Sequence, residues 1–131
     1  TSEIGSSGYS AQIGSSGISA QSGSSVYSAE IGSSGDSAQI GSSGNSAQIG
    51  SSGDSAQIDS TGEDAVIMCA GHDSIAKAKI GSWITLAEWK WSKEKHHTVP
   101  VCVKTERVDG IKIKPDTWYK LQDGEFVEVT E

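Results

Sequence analysis

Most of the first eighty residues repeat a nine-residue unit in which apolar and polar positions alternate. Written x-S-A-Q-I-G-S-S-G, the unit begins at Tyr9, Ile18, Tyr27, Asp36, Asn45, Asp54, Glu63 and His72, after a partial copy in residues 2 to 8. Its third position is Ala11, Ala20, Ala29, Ala38, Ala47, Ala56, Ala65 and then Ser74, and its fifth is Ile13, Ser22, Ile31, Ile40, Ile49, Ile58, Ile67 and Ala76. Apolar residues two apart, with Ser and Gln between them, follow the period of a strand and not of a helix. The seventh position runs as Ser from Ser15 to Ser60 and then becomes Cys69 and Ala78, which puts it on the inner side as well. Each copy therefore predicts one short strand, with the G-S-S-G segment as the corner and glycine supplying its positive φ.

One such strand buries an Ile and an Ala, too little to offset the ordering of nine residues. Stacking on equivalent strands above and below closes that gap, which is the logic of a solenoid. Two copies complete a coil of 18 residues, so alternate copies fall in line. The first position then forms two columns, Tyr9, Tyr27, Asn45, Glu63 and Ile18, Asp36, Asp54, His72, with like over like. A coil of three copies breaks both pairings. Ser at position two and Gln12, Gln21, Glu30, Gln39, Gln48 and Gln57 at position four are expected to form flat polar ladders outside. In the last copies position four turns apolar, as Val66 and Ile75, which predicts a cover over the outer face there from the C-terminal segment.

From Gly81 the composition shifts to Trp, Lys and Val, so the chain divides into a solenoid over residues 1–80 and a capping module over 81–131. The run SWITLAEWKW alternates Trp83, Thr85, Ala87, Trp89 and Trp91 against Ile84, Leu86, Glu88 and Lys90, a strand with one aromatic-rich face. A charged loop, SKEKHH, separates it from a second strand, VPVCVKTERV. Asp109-Gly110 predicts a hairpin into IKIK, Pro115-Asp116 another turn, and Asp123-Gly124 closes a hairpin within TWYKLQDGEFVEV. The expected fold is all-β: a two-sided solenoid and a small antiparallel cap of four or five strands, which protects an otherwise open edge.

Charge changes the picture because it is lopsided. Residues 1 to 62 hold five acids and no Lys or Arg, and residues 63 to 131 hold twelve acids and ten bases, for a net charge of -7. A lysine-free acidic surface argues against binding a nucleic-acid backbone. No apolar run approaches the about 20 residues of a membrane span, and no charged-then-apolar leader opens the chain. Since it starts at Thr1 within a repeat, an upstream segment is expected. Cys69 and Cys102 read as two buried reduced thiols.

Candidate chemistry is sparse. Asp36 over Asp54 beside glycine turns suggests calcium-binding nonapeptides, but the acid sits one position early and most copies lack it, which favours a solvated acidic edge. His96 and His97 are adjacent and have no ligand cluster at metal spacing, and His72 lies at a corner. Trp83, Trp89, Trp91, Trp118 and Tyr119 could stack a sugar or a partner, although cap core and solenoid contact are the plainer reading. No nucleophile elbow, catalytic triad, P-loop or dinucleotide fingerprint is present, so no catalysis, cofactor or small-molecule substrate is expected.

The repeats, followed by GHDSIAKAKIGSWITLAEW and VDGIKIKPDTWYKLQDGEFVEV, resemble the C-terminal portion of an uncharacterised family encoded by phages, prophages and gut bacteria. The resemblance implies a setting, a bacterial cytoplasm or a phage particle, and carries no site residues. The expected function is a non-catalytic structural or interaction module that binds a protein partner or itself, within a phage assembly or filament. The alternatives are an acidic inhibitor of a defence nuclease, and ice or carbohydrate binding on the Ser/Gln face.

Overall fold

The computed structural model describes residues 3–6, 12–15, 21–24, 30–33, 36–42 and 45–129, and every regular element among them is a strand. Nine short strands follow the repeat: β1 (Glu3–Ser6), β2 (Gln12–Ser15), β3 (Gln21–Ser24), β4 (Glu30–Ser33), β5 (Gln39–Ser42), β6 (Gln48–Ser51), β7 (Gln57–Ser60), β8 (Val66–Cys69) and β9 (Ile75–Lys77). Four more complete the chain: β10 (Trp83–Ser92), β11 (His97–Arg107), β12 (Tyr119–Gln122) and β13 (Glu125–Glu128). Alternate copies go to alternate sheets. The back sheet has the order β1-β3-β5-β7-β9-β12-β13, and the front sheet β11-β10-β8-β6-β4-β2. Copies stack in parallel and in register, as in Gln39↔Gln57 on the back and Ile49↔Ile67 on the front, so the coil is two-sided and 18 residues long.

The third, fifth and seventh positions line the slim interior. Ile13, Ile31, Ile49, Ile67 and Ile84 form one buried column, facing Ile40, Ile58 and Ala76 of the other sheet. Ala38, Ala47, Ala56 and Ala65 are fully enclosed, and position seven is buried as Ser42, Ser51, Ser60 and Cys69 before ending in Ala78 and Leu86. This last column grows more apolar toward the C-terminus, where the core widens.

The corners differ from the expectation. The left-handed residue is the one at position two, Ser37, Ser46, Ser55, Asp64 and Asp73, with φ from 56 to 59°, and not a glycine of G-S-S-G. Ser at position two therefore sits at a corner and does not share a flat face with Gln. Its amide continues the stack, since the N–H groups of Ser37, Ser46 and Ser55 donate to the carbonyls of Asp54, Glu63 and His72, each at 2.8 Å. Glycine at position nine has a different reason: a Cβ on Gly71 would overlap the carbonyl oxygen of Gly53 on the coil below. The first-position columns also acquire a purpose. Asp36 Oδ1 accepts the Asp54 N–H at 3.1 Å, Asp54 Oδ1 accepts that of His72 at 3.0 Å, and Asn45 Oδ1 accepts that of Glu63 at 2.9 Å. Tyr9, Ile18 and Tyr27, the other named members of these columns, lie outside the described residues.

The parallel ladder runs past the composition change at Gly81. Trp83, Ile84, Thr85 and Leu86 pair with Val66, Ile67, Met68 and Cys69, so the first half of β10 is a tenth rung, offset by 17 residues instead of 18. Gly81, at φ 93°, takes the corner that Asp64 occupies one coil earlier, and Ser82 Oγ accepts the Ala65 N–H at 3.0 Å. The rest of β10 turns back through Lys93–His96 into β11, antiparallel and with a bulge at Glu88/Trp89. On the other sheet β12 runs antiparallel to β9 through Tyr119↔Ala76 and forms a hairpin with β13. The cap thus grows from both sheets at once.

The hairpin expected at Asp109-Gly110 does not form. Asp109 Oδ1 accepts the N–H groups of Ile111, Lys112 and Ile113 at 2.8, 3.0 and 3.2 Å, so the chain wraps around the carboxylate and IKIK is a loop. The wrapping turns Ile113 inward, 2% exposed, and leaves Ile111 85% exposed. Val108 and Ile113 join the core, while Gly81 N–H donates to Val108 C=O and Asp116 N–H to Ala78 C=O, which closes the end of the last coil.

Candidate functional site

Two outward faces remain, one per sheet, each built from positions four and six. The expected Gln ladders are divided between them: Gln39 and Gln57 stand on the back sheet, Gln48 on the front. Gln12 belongs to β2 of the front sheet by its backbone, and its side chain lies outside the described residues. On the back, Gln21 Nε2 donates to Gln39 Oε1 at 3.0 Å, a link of the expected amide ladder.

The tryptophans are also divided. Trp83 on the front sheet is 45% exposed and Trp91, further along the same strand, 62%. Trp89 is half-buried, its indole N–H donating to the Ala70 carbonyl at 2.8 Å. Trp118 lies over the back sheet with the Lys77 ammonium 4.9 Å from its ring centre, and Lys77 pairs with Asp59 at 3.5 Å. Of the five aromatic candidates only Tyr119 is core, where its hydroxyl accepts the Lys114 N–H at 2.8 Å and its ring meets Phe126 at 6.1 Å. Of the four tryptophans none is fully buried in a cap core, but Trp89 through Ala70 and Trp118 through Lys77 make the expected contact with the solenoid.

The front sheet presents the more distinctive surface. Its sixth-position column reads Gly14, Gly32, Gly50, Met68, Thr85, Thr105, and its fourth reads Gln12, Glu30, Gln48, Val66, Trp83, Arg107. Toward the N-terminus the glycines floor a groove of about 650 Å³ that Val66 and Met68 close at one end. Toward the C-terminus both columns fill with larger side chains, and Val66, Met68, Trp83, Val101 and Val103 are all exposed. The expected cover is absent at Val66, 43% exposed, although Ile75 on the back sheet is buried. The chain turns instead at β10 and extends the front sheet edgewise, so its outer face stays open.

The groove glycines do not owe their identity to the fold. A Cβ at Gly14 or Gly32 would meet no atom within 4 Å, and Met68 occupies the same position one coil on from Gly50. Met68, Val101, Val103 and this glycine column were not among the sequence candidates. The readable signals were a methionine at an outward position and glycine in mid-strand, where it is disfavoured without a local reason.

Asp36 and Asp54 each use a carboxylate oxygen to cap the next coil, and among the described residues no group of three or more His, Cys, Asp or Glu is placed to hold a metal. His96 takes a left-handed turn position and His97 begins β11, both exposed. Cys69 is buried and Cys102 only partly so; both are free thiols, and burial pushes the Cys69 thiol up to about 12. No helix among the described residues is long and apolar enough to cross a membrane.

The fold and these faces define the class: a two-sided, parallel β-solenoid with an antiparallel cap that continues both of its sheets. No known family, curated protein or solved structure matches the chain.

Proposed function

We propose that this chain is a non-catalytic structural and interaction module, a stiff solenoid rod whose front sheet docks a protein. The observation that carries the reading is the exposed band of Val66, Met68, Trp83, Val101 and Val103 beside a glycine-floored groove. Contiguous exposed apolar surface of this kind marks an interaction site on a soluble domain. Its geometry suits a partner recognised by shape, since the band lies on a sheet held rigid by parallel ladders on one side and the long β10–β11 hairpin on the other. A bacteriophage or prophage assembly is the setting proposed for it, following the resemblance of its repeats and tail.

The test is affinity capture from bacterial lysate by the full chain, beside a Val66→Ser/Trp83→Ser variant. A defined protein retained in stoichiometric amount by the wild type and lost by the variant is the expected result. If neither form retains a protein and the purified chain stays monomeric, the reading fails.

Carbohydrate binding is a second reading, favoured by one arrangement on the back sheet. Gln21, Gln39 and Gln57 follow one another by rungs of about 4.8 Å beside Trp118 and Asp59, an aromatic plate next to a row of amides. Loss of glycan-array binding on Trp118→Ala supports it, and a blank array for the wild type removes it.

A further inference from the structure

We infer that the front sheet is self-complementary and that its occupant is a second copy of this chain, packed face to face with the strand order reversed. The inference rests on the reading of this face as a docking surface and specifies what docks there.

Its basis is the way size and charge change along the two outward columns. In the sixth-position column the small residues Gly14, Gly32 and Gly50 come first and Met68, Thr85 and Thr105 follow. A two-fold axis lying in the interface and parallel to the strands leaves the columns aligned and reverses the order of the rungs. With that axis between β6 and β8, each chain's Met68 stands over the other's Gly50, Thr85 over Gly32 and Thr105 over Gly14. Knob meets hollow along the whole column. The groove is deep enough for this because nothing stands above its glycines, and Met suits it because an unbranched thioether adapts to an irregular slot.

The fourth-position column carries the charge. The same operation sets Trp83 over Glu30 and offsets Arg107 of one copy by a single rung, about 4.8 Å along the stack, from Glu30 of the other. The general distribution favours the same order. Residues 1 to 62 hold five acids and no Lys or Arg, whereas all ten bases lie beyond among twelve acids, so a reversed pairing brings the bases of each copy toward the base-free end of its partner. A pairing in the same order needs a two-fold perpendicular to the strands, which exchanges the two columns and sets Met68 over Val66 and Gly32 over Glu30, so Met68 no longer falls in a glycine hollow. An isologous contact of this kind closes as a dimer and leaves the solenoid's ends outside the interface.

Sedimentation velocity of the purified full chain at rising concentration tests the inference, with circular dichroism to confirm that each variant keeps its sheet. The wild type is expected to pass from monomer to dimer. Met68→Lys removes the knob and Gly32→Gln fills the hollow; each is expected to weaken the dimer about ten-fold or more, the usual range for an interface anchor. Gly32→Gln adds its side chain to open space, so its own coil is undisturbed. Arg107→Glu and Glu30→Lys are each expected to weaken the dimer, and the double variant to recover much of the loss, a recovery that apolar adhesion alone does not produce. A wild type that is monomeric throughout overturns the inference. So does a dimer indifferent to Gly32→Gln. If the wild type is monomeric yet captures a lysate protein through Trp83, the occupant is a different protein and the docking reading stands without the dimer; if it captures nothing, both fall.

Discussion

Glu88 on β10 accepts the backbone N–H of Asp123 at 2.8 Å, 35 residues further on, and its second carboxylate oxygen accepts that of Gly124 at 3.1 Å. One side chain of the front sheet thus holds the turn of the back-sheet hairpin. The turn suits such a grip because both of its residues have positive φ, 53° and 79°. Its carboxyl is drawn below the ordinary carboxylate range by the Asp123 N–H first and then by the Gly124 N–H and Lys90.

That direction fixes a pH dependence. Asp109 is lowered in the same way, by the N–H groups of Ile111, Ile113 and Lys112. A carboxyl whose folded value lies below its unfolded one contributes stability that is present above the unfolded value, about 4, and lost as pH falls through the folded value. The melting temperature is therefore expected to drop below about pH 4, and Glu88→Gln to flatten part of that drop while lowering stability at neutral pH. An unchanged acid limb in Glu88→Gln removes Glu88 as a source.

Two glycines in copies that stack on one another are expected to behave oppositely. Gly71→Ala drives a Cβ into the Gly53 carbonyl and should cost more than about 2 kcal/mol or prevent folding, as overpacking does. Gly50→Ala enters a space whose nearest atom is 4.0 Å away and should be neutral or stabilising by up to about 1 kcal/mol, because glycine weakens a strand. Urea unfolding of the two variants measures the contrast.

At the corners, Ser55 holds φ 57°. Ser55→Val places a β-branched side chain in the left-handed region and should destabilise by about 1 to 3 kcal/mol, whereas Ser55→Gly relieves strain and should be neutral or mildly stabilising. Thermal melts that rank the two in reverse would show that the corner tolerates another conformation.

The Ser60 hydroxyl is buried with no hydrogen-bond partner, in a column that ends in Ala78. Ser60→Ala should stabilise by about 1 kcal/mol, and a loss of stability in chemical denaturation contradicts that account of the site.

Cys69, with its thiol near 12, is expected to resist alkylation at mildly alkaline pH in the folded chain and to react once urea unfolds it. Mass spectrometry of the labelled peptides reads the difference directly.

The solenoid was legible because its signal repeats: Ala38 and Ile40, then Ala47 and Ile49, say the same thing in each copy, and the two-column pairing followed from Asp36 over Asp54. What was hidden depended on single residues. The tenth rung, Ser82-x-Ile84-x-Leu86, keeps the alternation of Ala65-x-Ile67-x-Cys69, but a one-residue deletion and a tryptophan mask it. Asp109 carried a hairpin signature by its neighbour Gly110, and the wrapping of three amides around its carboxylate is a contest that local pattern does not decide. The candidate site was least legible. Alternation tells which residues face outward, yet whether a later segment then covers Val66 depends on where β11 goes.

The ladder between Gln48 on β6 and Glu30 on β4 connects copies that are not neighbours in sequence, and this imposes a parity on the gene. Near-identical tandem units invite unequal recombination. Gain or loss of one nine-residue unit upstream of the cap would send every earlier rung to the opposite sheet, replacing the Glu30 edge of the front face with residues now on the back. Gain or loss of 18 residues only lengthens or shortens the rod. Length variants that keep the same two faces therefore differ by whole coils, with an even number of units between them.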